Sequence, residues 1–173
     1  GAITRANFKG GVNIKVVSKT VTTGSGWNPS SVEGISMSSF SGGRNEVVFN
    51  KKLDISGSVD TQNKHIYGIR YEDQEENGKG SLLLLKGDTS INVKSLHGGR
   101  AWGVISQAAG GTQSFETEKG TALKIRTVQK GGQNYAEALK FNAFRMNEGV
   151  GSQNVAIQGP AAITSAGDYY AVS

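Results

Sequence analysis

Residues 80–106 read GSLLLLKGDTSINVKSLHGGRAWGVIS, three short apolar runs separated by polar corners that contain glycine. Leu82 to Leu85, Ser90 to Val93 and Ala101 to Ile105 have the length of strands. Lys86-Gly87-Asp88 and His97-Gly98-Gly99-Arg100 carry the turn chemistry that separates them. The last run, Trp102-Gly103-Val104, is echoed by Glu33-Gly34-Ile35 and Tyr67-Gly68-Ile69 before it, and by Glu137-Ala138-Leu139 and Tyr170-Ala171-Val172 after it. The aliphatic members Ile35, Ile69, Val104, Leu139 and Val172 follow one another at steps of 34, 35, 35 and 33 residues, each just after a Gly or Ala. The middle run recurs as Val12 to Val16, Leu53 to Ile55, Ile91 to Val93, Leu123 to Ile125 and Ala162-Ile163. The first recurs as Val47 to Phe49, Leu82 to Leu85, Ser114-Phe115 and Val155 to Ile157.

Self-similarity at a fixed period marks a unit that cannot bury its own apolar face and must stack on copies of itself. Polar and apolar residues alternate within each run, so one set of side chains points inward and the other outward. This places Leu53, Ile55, Tyr67, Ile69, Tyr71, Ile91, Val93, Trp102, Val104, Leu123 and Ile125 inside, and Asp54, Arg70, Asn92 and Lys124 outside. The expected fold is all-β, a right-handed parallel β-helix of about five coils, each of roughly 35 residues with three short strands. The whole of 1–173 is expected to be one β-helix segment. An antiparallel β-sandwich is the alternative if the beat is accidental. The helix-permissive run YAEALKFNAFRM, Tyr135 to Met146, is assigned to a strand because the beat crosses it.

Composition agrees with this. The chain has 25 Gly and only 2 Pro, and many of the glycines fall at the inferred corners. Cysteine is absent, which removes disulfides and thiolate zinc sites from consideration. The net charge of +5 is uneven: no acid precedes Glu33, whereas Arg5, Lys9, Lys15 and Lys19 do. The lysines are scattered singly without an aromatic-basic cluster, so no nucleic-acid partner is expected. No HExxH, GxSxG or GxxxxGK[ST] motif is present.

Candidate chemistry lies between the strands. Trp27, in the polar stretch Thr20 to Ser31, either stacks on a sugar or partner or folds over the open end of the helix. Glu72, Asp73, Glu75 and Glu76 put four carboxylates in five residues. They lack the Asp and Gly alternation of a calcium loop, so a solvated acidic loop with no metal is the expectation. Trp27, Glu72, Asp73, Glu75 and Glu76 are the candidate ligand-binding residues, and no catalytic residue or cofactor is assigned. Ser36 to Arg44, Asp60 to His65 and Asn142 to Gln153 are expected to be further loops. An enzyme of the β-helical glycan lyase or hydrolase type, or a phage tailspike fragment, would need carboxylates and cations converging on a groove. The nearest approach is Asp54, Asn92, Lys94 and Arg126, with Asp54 and Asn92 expected in one outward column.

Through Tyr67-Gly68-Ile69, Trp102-Gly103-Val104 and Asn154 to Gly159, the stretch Gly34 to Ser173 resembles the passenger domain of a bacterial type V autotransporter. That family comprises the surface-exposed β-helices of adhesins, cytotoxins and related virulence proteins. The resemblance implies a rigid scaffold and binding module at the bacterial cell surface or secreted, and a piece of a longer passenger domain. Its implied partners are a host-cell glycan or a surface or matrix protein, further copies of itself, and the rest of the parent autotransporter chain. The unit of roughly 35 residues is longer than a bare coil of such passengers, which implies a real loop at one corner or more of each coil.

Overall fold

In a computed structural model the residues described are 2–18, 31–39, 42–61, 64–73, 79–131, 135–143, 145–146 and 149–167. The first coil holds β1 (Ile3–Phe8), β2 (Val12–Ser18) and β3 (Ser31–Ser39). The second holds β4 (Arg44–Phe49), β5 (Leu53–Val59) and β6 (His65–Asp73), and the third β7 (Leu82–Leu85), β8 (Thr89–Ser95) and β9 (Ala101–Ala108). The fourth holds β10 (Thr112–Thr117), β11 (Leu123–Gln129) and β12 (Ala136–Ala143). A small antiparallel pair follows, β13 (Arg145–Met146) with β14 (Gly149–Val150). Strands β15 (Ser152–Ala156) and β16 (Ala161–Ala166) begin a fifth coil.

Like strands stack on like. The three large sheets run β1-β4-β7-β10-β15, β2-β5-β8-β11-β16 and β3-β6-β9-β12, and every pairing within them is parallel. The chain is a parallel β-solenoid, and the antiparallel sandwich is ruled out. The expected five coils are four complete ones and two strands of a fifth among the described residues.

The register is the one that the beat predicts. Ile35, Ile69, Val104 and Leu139 are paired in sequence along the third sheet, and Ile14, Ile55, Ile91, Ile125 and Ile163 along the second. Both columns run through the core, and Ile69 and Val104 are fully buried. Strand β8 shows why: buried and part-exposed residues alternate along Thr89–Ser95 without interruption. Ile91 and Val93 face inward while Asn92 and Lys94 face out.

The Gly before each aliphatic residue of the third strand has a steric cause. A Cβ on Gly68 would lie 2.5 Å from the Gly103 carbonyl oxygen and 2.5 Å from Ile91 Cγ2. Gly34 meets Gly68 and Ile55 in the same way, and Gly103 meets Ala138 and Ile125. The third sheet therefore presses its backbone onto the isoleucine column of the second sheet, and a side chain has no room there. Ala138 fits in β12, which is the last strand of its sheet among the described residues.

The same step corrects the expected placement of Tyr67 and Trp102. Ile66 and Ala101 are the residues turned into the core, each fully buried, so their neighbours Tyr67 and Trp102 take the outer face. A slip of one residue reverses the face of a strand side chain. Ser36–Ser39 also belong to β3 rather than to a corner, and the strand of which Glu72 and Asp73 are the last two residues is β6.

Candidate functional site

The outer face of the third sheet gathers most of the interacting polar groups. Register places Glu33, Tyr67, Trp102 and Glu137 in one column, one residue before the glycines. Beside it, Ser36, Arg70, Ile105 and Lys140 form a second column. Successive coils in a parallel sheet lie about 4.8 Å apart, which brings equivalent side chains into contact.

Arg70 is the hinge of this face. Its Nε donates to Glu72 Oε1 at 2.7 Å, its Nη2 to Glu72 Oε2 at 2.9 Å, and its Nη1 to Glu33 Oε1 at 2.8 Å. The two parallel bonds to Glu72 match the planar fork of a guanidinium to a carboxylate. Hydrogen bonds from and attraction to these carboxylates raise the Arg70 pKa further above its ordinary value. Burial works against ionisation of Glu33. Hydrogen bonds from Ser36, Arg70 and Ser31, with the Arg70 charge, outweigh it and hold the carboxyl below its ordinary range.

The aromatic column lies alongside. Tyr67 stacks on Trp102 with centroids 4.6 Å apart, and Trp102 meets Tyr135 and His65 edge-on. The Arg70 guanidinium lies 5.2 Å from the Tyr67 centroid, and that of Arg100 lies 4.5 Å from the Tyr135 centroid. Trp102 Nε1 donates to Glu137 Oε2 at 2.5 Å, and Lys140 Nζ donates to both Glu137 oxygens at 3.1 Å. His65 Nδ1 accepts from the Arg100 backbone N–H at 3.0 Å, so that nitrogen carries no proton. Burial, and then the charge of Arg100, push the His65 pKa down to about 4. Burial pushes the Tyr67 hydroxyl up to about 12. His65 is therefore neutral and Tyr67 protonated at pH 7.

This face is a ladder satisfied by its own parts. Three carboxylates, Glu33, Glu72 and Glu137, alternate with the cations Arg70, Arg100 and Lys140, and the rings contact one another and the guanidinium groups. Chemically it supplies stiffness across the coils rather than a reactive group.

The candidate ligand-binding residues separate. Glu72 and Asp73 are not in a solvated loop: Glu72 is 4% exposed and Asp73 fully buried. Glu72 is locked to Arg70 on the outer face, whereas Asp73 Oδ2 accepts from the Gly111 N–H two coils' corners away in sequence. Compensation by Arg70 and by a backbone amide is what allows two acids at the end of β6 to be buried. Trp27, Glu75 and Glu76 lie outside the described residues.

The enzyme-like grouping also dissolves. Asp54 pairs in register with Ser90 and Asn13, whereas Asn92 pairs with Ser56 and Arg126, and Lys94 with Ser58 and Val128. They occupy three columns, not one. Asp54 is engaged by Lys52 at 2.8 Å, Asp60 by His97 at 2.6 Å, and Asp88 Oδ1 accepts from the Ala122 N–H. Among the described residues, no group of three or more His, Asp or Glu is placed to hold a metal ion. The outer ladder was the site that sequence reasoning missed. Its signal is the same beat read one residue earlier, at Glu33, Tyr67, Trp102 and Glu137.

No protein-family model, curated protein or solved structure matches this chain.

Proposed function

We propose that this chain is a length of surface-exposed β-helix of the autotransporter-passenger kind, a rigid scaffold and binding module displayed at a bacterial cell surface or secreted. On this reading it attaches to a host-cell glycan or to a surface or matrix protein, and the rest of a parent chain continues it. The observation that carries the reading is the contrast between strands and connections. The third sheet holds its register at steps of 34, 35 and 35 residues, whereas the second steps by 41, 36, 34 and 38. Length varies only where the chain leaves the sheets, and specificity in such scaffolds resides in what the connections carry.

Trp27, between β2 and β3, and Glu75 and Glu76, between β6 and β7, are the residues that carry recognition. Glu72 and Asp73 are excluded from the test because they hold the fold. Trp27→Ala and the pair Glu75→Ser with Glu76→Ser should keep the β-sheet circular dichroism of the parent. Each should lose binding on a glycan array or to immobilised matrix proteins. If both variants bind like the parent while Lys94→Ala and Arg126→Ala abolish binding, the recognition surface is the flat outer face of the second sheet and this reading is wrong.

A further inference from the structure

We propose that the two open ends of the solenoid are complementary, and that copies of this chain stack head to tail, the last coil of one against the first coil of the next. The proposal stands apart from whatever the connections bind.

The ends are open in the hydrogen-bonding direction. β1, β2 and β3 each have a neighbour on one side only, as do β15 and β16 at the other end. Of the five large apolar side chains that are exposed among the described residues, Ile3, Phe8 and Val17 lie on the first coil and Val155 on the last. The inward residues of the end coils, among them Val12, Ile14 and Ile163, are only partly buried because nothing caps them.

The occupant that fits is a second copy, because both ends display the same columns. Ala6, Val47, Leu83, Phe115 and Val155 are successive members of one column, and Val12, Leu53, Thr89, Leu123 and Ala161 of another. One further step of the same register puts Ala6 of the next copy on Val155, Val12 on Ala161 and Ile14 on Ile163. Each strand would gain the parallel partner that it lacks, as in any strand addition to an open edge. Charge favours the same pairing. Residues 1–32 contain four basic residues and no acid, whereas residues 146–173 contain Glu148 and Asp168 and no base. Such a contact joins two different surfaces and does not close on itself, so it propagates as a filament.

The test is sedimentation of the purified 173-residue chain over a concentration series at low and high salt. The Val12 N–H is directed at Lys52 on the neighbouring coil. Alternate residues point the other way, so the N–H groups of Asn13 and Lys15 face the open edge. Lys15→Pro, and separately Asn13→Pro, therefore block the edge without touching the β2–β5 ladder. Lys15→Glu reverses an exposed end charge and leaves the backbone intact. The parent should show a mean mass that rises with concentration without a plateau and falls at high salt. The proline variants should sediment as monomers with the parent's circular dichroism, and Lys15→Glu should associate more weakly. A parent that stays monomeric at every concentration overturns the proposal. So does a plateau at a dimer, or association that persists in a folded proline variant, because either would require a contact other than the coil ends.

Discussion

Replacing Gly68 by alanine puts a methyl carbon 2.5 Å from the Gly103 carbonyl oxygen and 2.5 Å from Ile91 Cγ2. Ordinary carbon–oxygen contacts begin near ~3.3 Å and carbon–carbon contacts near ~3.5 Å. Something must therefore move by about 1 Å on each side. Neither neighbour yields easily. One is main chain within a paired strand, and the other is a β-branched side chain with a stiff χ1. Overpacking of this kind costs about 1–3 kcal/mol, and two simultaneous contacts put Gly68 at the upper end. Against it stands the gain from a less flexible unfolded chain, about 0.4–1 kcal/mol. The net effect should be a loss of about 2 kcal/mol, which for a chain of this size lowers Tm by about 4–8 °C. The matched control is Gly10→Ala, where an added Cβ meets nothing within 4 Å and stability should hold or rise. Ile91→Leu removes the Cγ2 contact and should recover part of the loss in the double variant, leaving the carbonyl contact in place. Denaturant midpoints of the four proteins decide the matter. If Gly68→Ala is as stable as the parent, the close approach of the third sheet to the isoleucine column is not what demands glycine there.

Val104→Asp buries an unpaired carboxylate between Ile69 and Leu139 and should cost about 3–5 kcal/mol, whereas Asn92→Asp, in register with Arg126, should be near neutral; equal urea midpoints would refute the assignment of faces. Arg70→Met leaves Glu72 buried without its guanidinium and should cost about 2–3 kcal/mol, with Glu72→Gln recovering part of that in a double-mutant cycle. His65 is held neutral by a pKa lowered to about 4, so below pH 6.5 the unfolded chain binds more protons than the folded one. Stability should fall as pH drops from about 6.5 to about 4, and His65→Gln should flatten that limb of a thermal-denaturation profile while the parent's limb stays steep. Glu33, held below its ordinary value, acts in a lower window, its contribution being present above about pH 4.5 and lost as pH falls through its folded pKa.

The fold was legible because its strongest constraint is a residue type. Gly34, Gly68 and Gly103 mark the same place in successive coils since no side chain fits there, and the beat of 34 and 35 residues follows from that. The middle strand was equally plain, as its alternation survives intact in β5, β8 and β11. It also overrode helix propensity at 136–143, where β12 forms as the beat requires. Strand β1 went unnoticed because ITRANF is half polar and its core-facing residue is only alanine; the parallel stacking of Phe8 on Phe49 is the trace it left in the sequence. Tyr67 and Trp102 misled because aromatic size reads as core, whereas here it is spent on an outer ladder against arginines. Glu72 and Asp73 misled because an acid run reads as solvated, and composition does not reveal the Gly111 amide or the Arg70 fork that compensates them. Asp54 and Asn92 were misaligned by two residues, an error that preserves the face and changes the column.

Within the three large sheets each strand bonds only to its counterparts in the coils before and after it, and that arrangement makes the coil a cassette. The carbonyls of Lys52, Asp88, Ala122 and Pro160 do the same work in successive coils, accepting from Val12, Leu53, Thr89 and Leu123. A chain cut after Lys52 and rejoined at Thr89 loses one strand from each of these sheets and keeps every remaining strand beside a counterpart. Duplicating the same span does the reverse. Reach along the axis is thereby adjustable in increments of about 4.8 Å, with no interior to redesign and no second domain to refit.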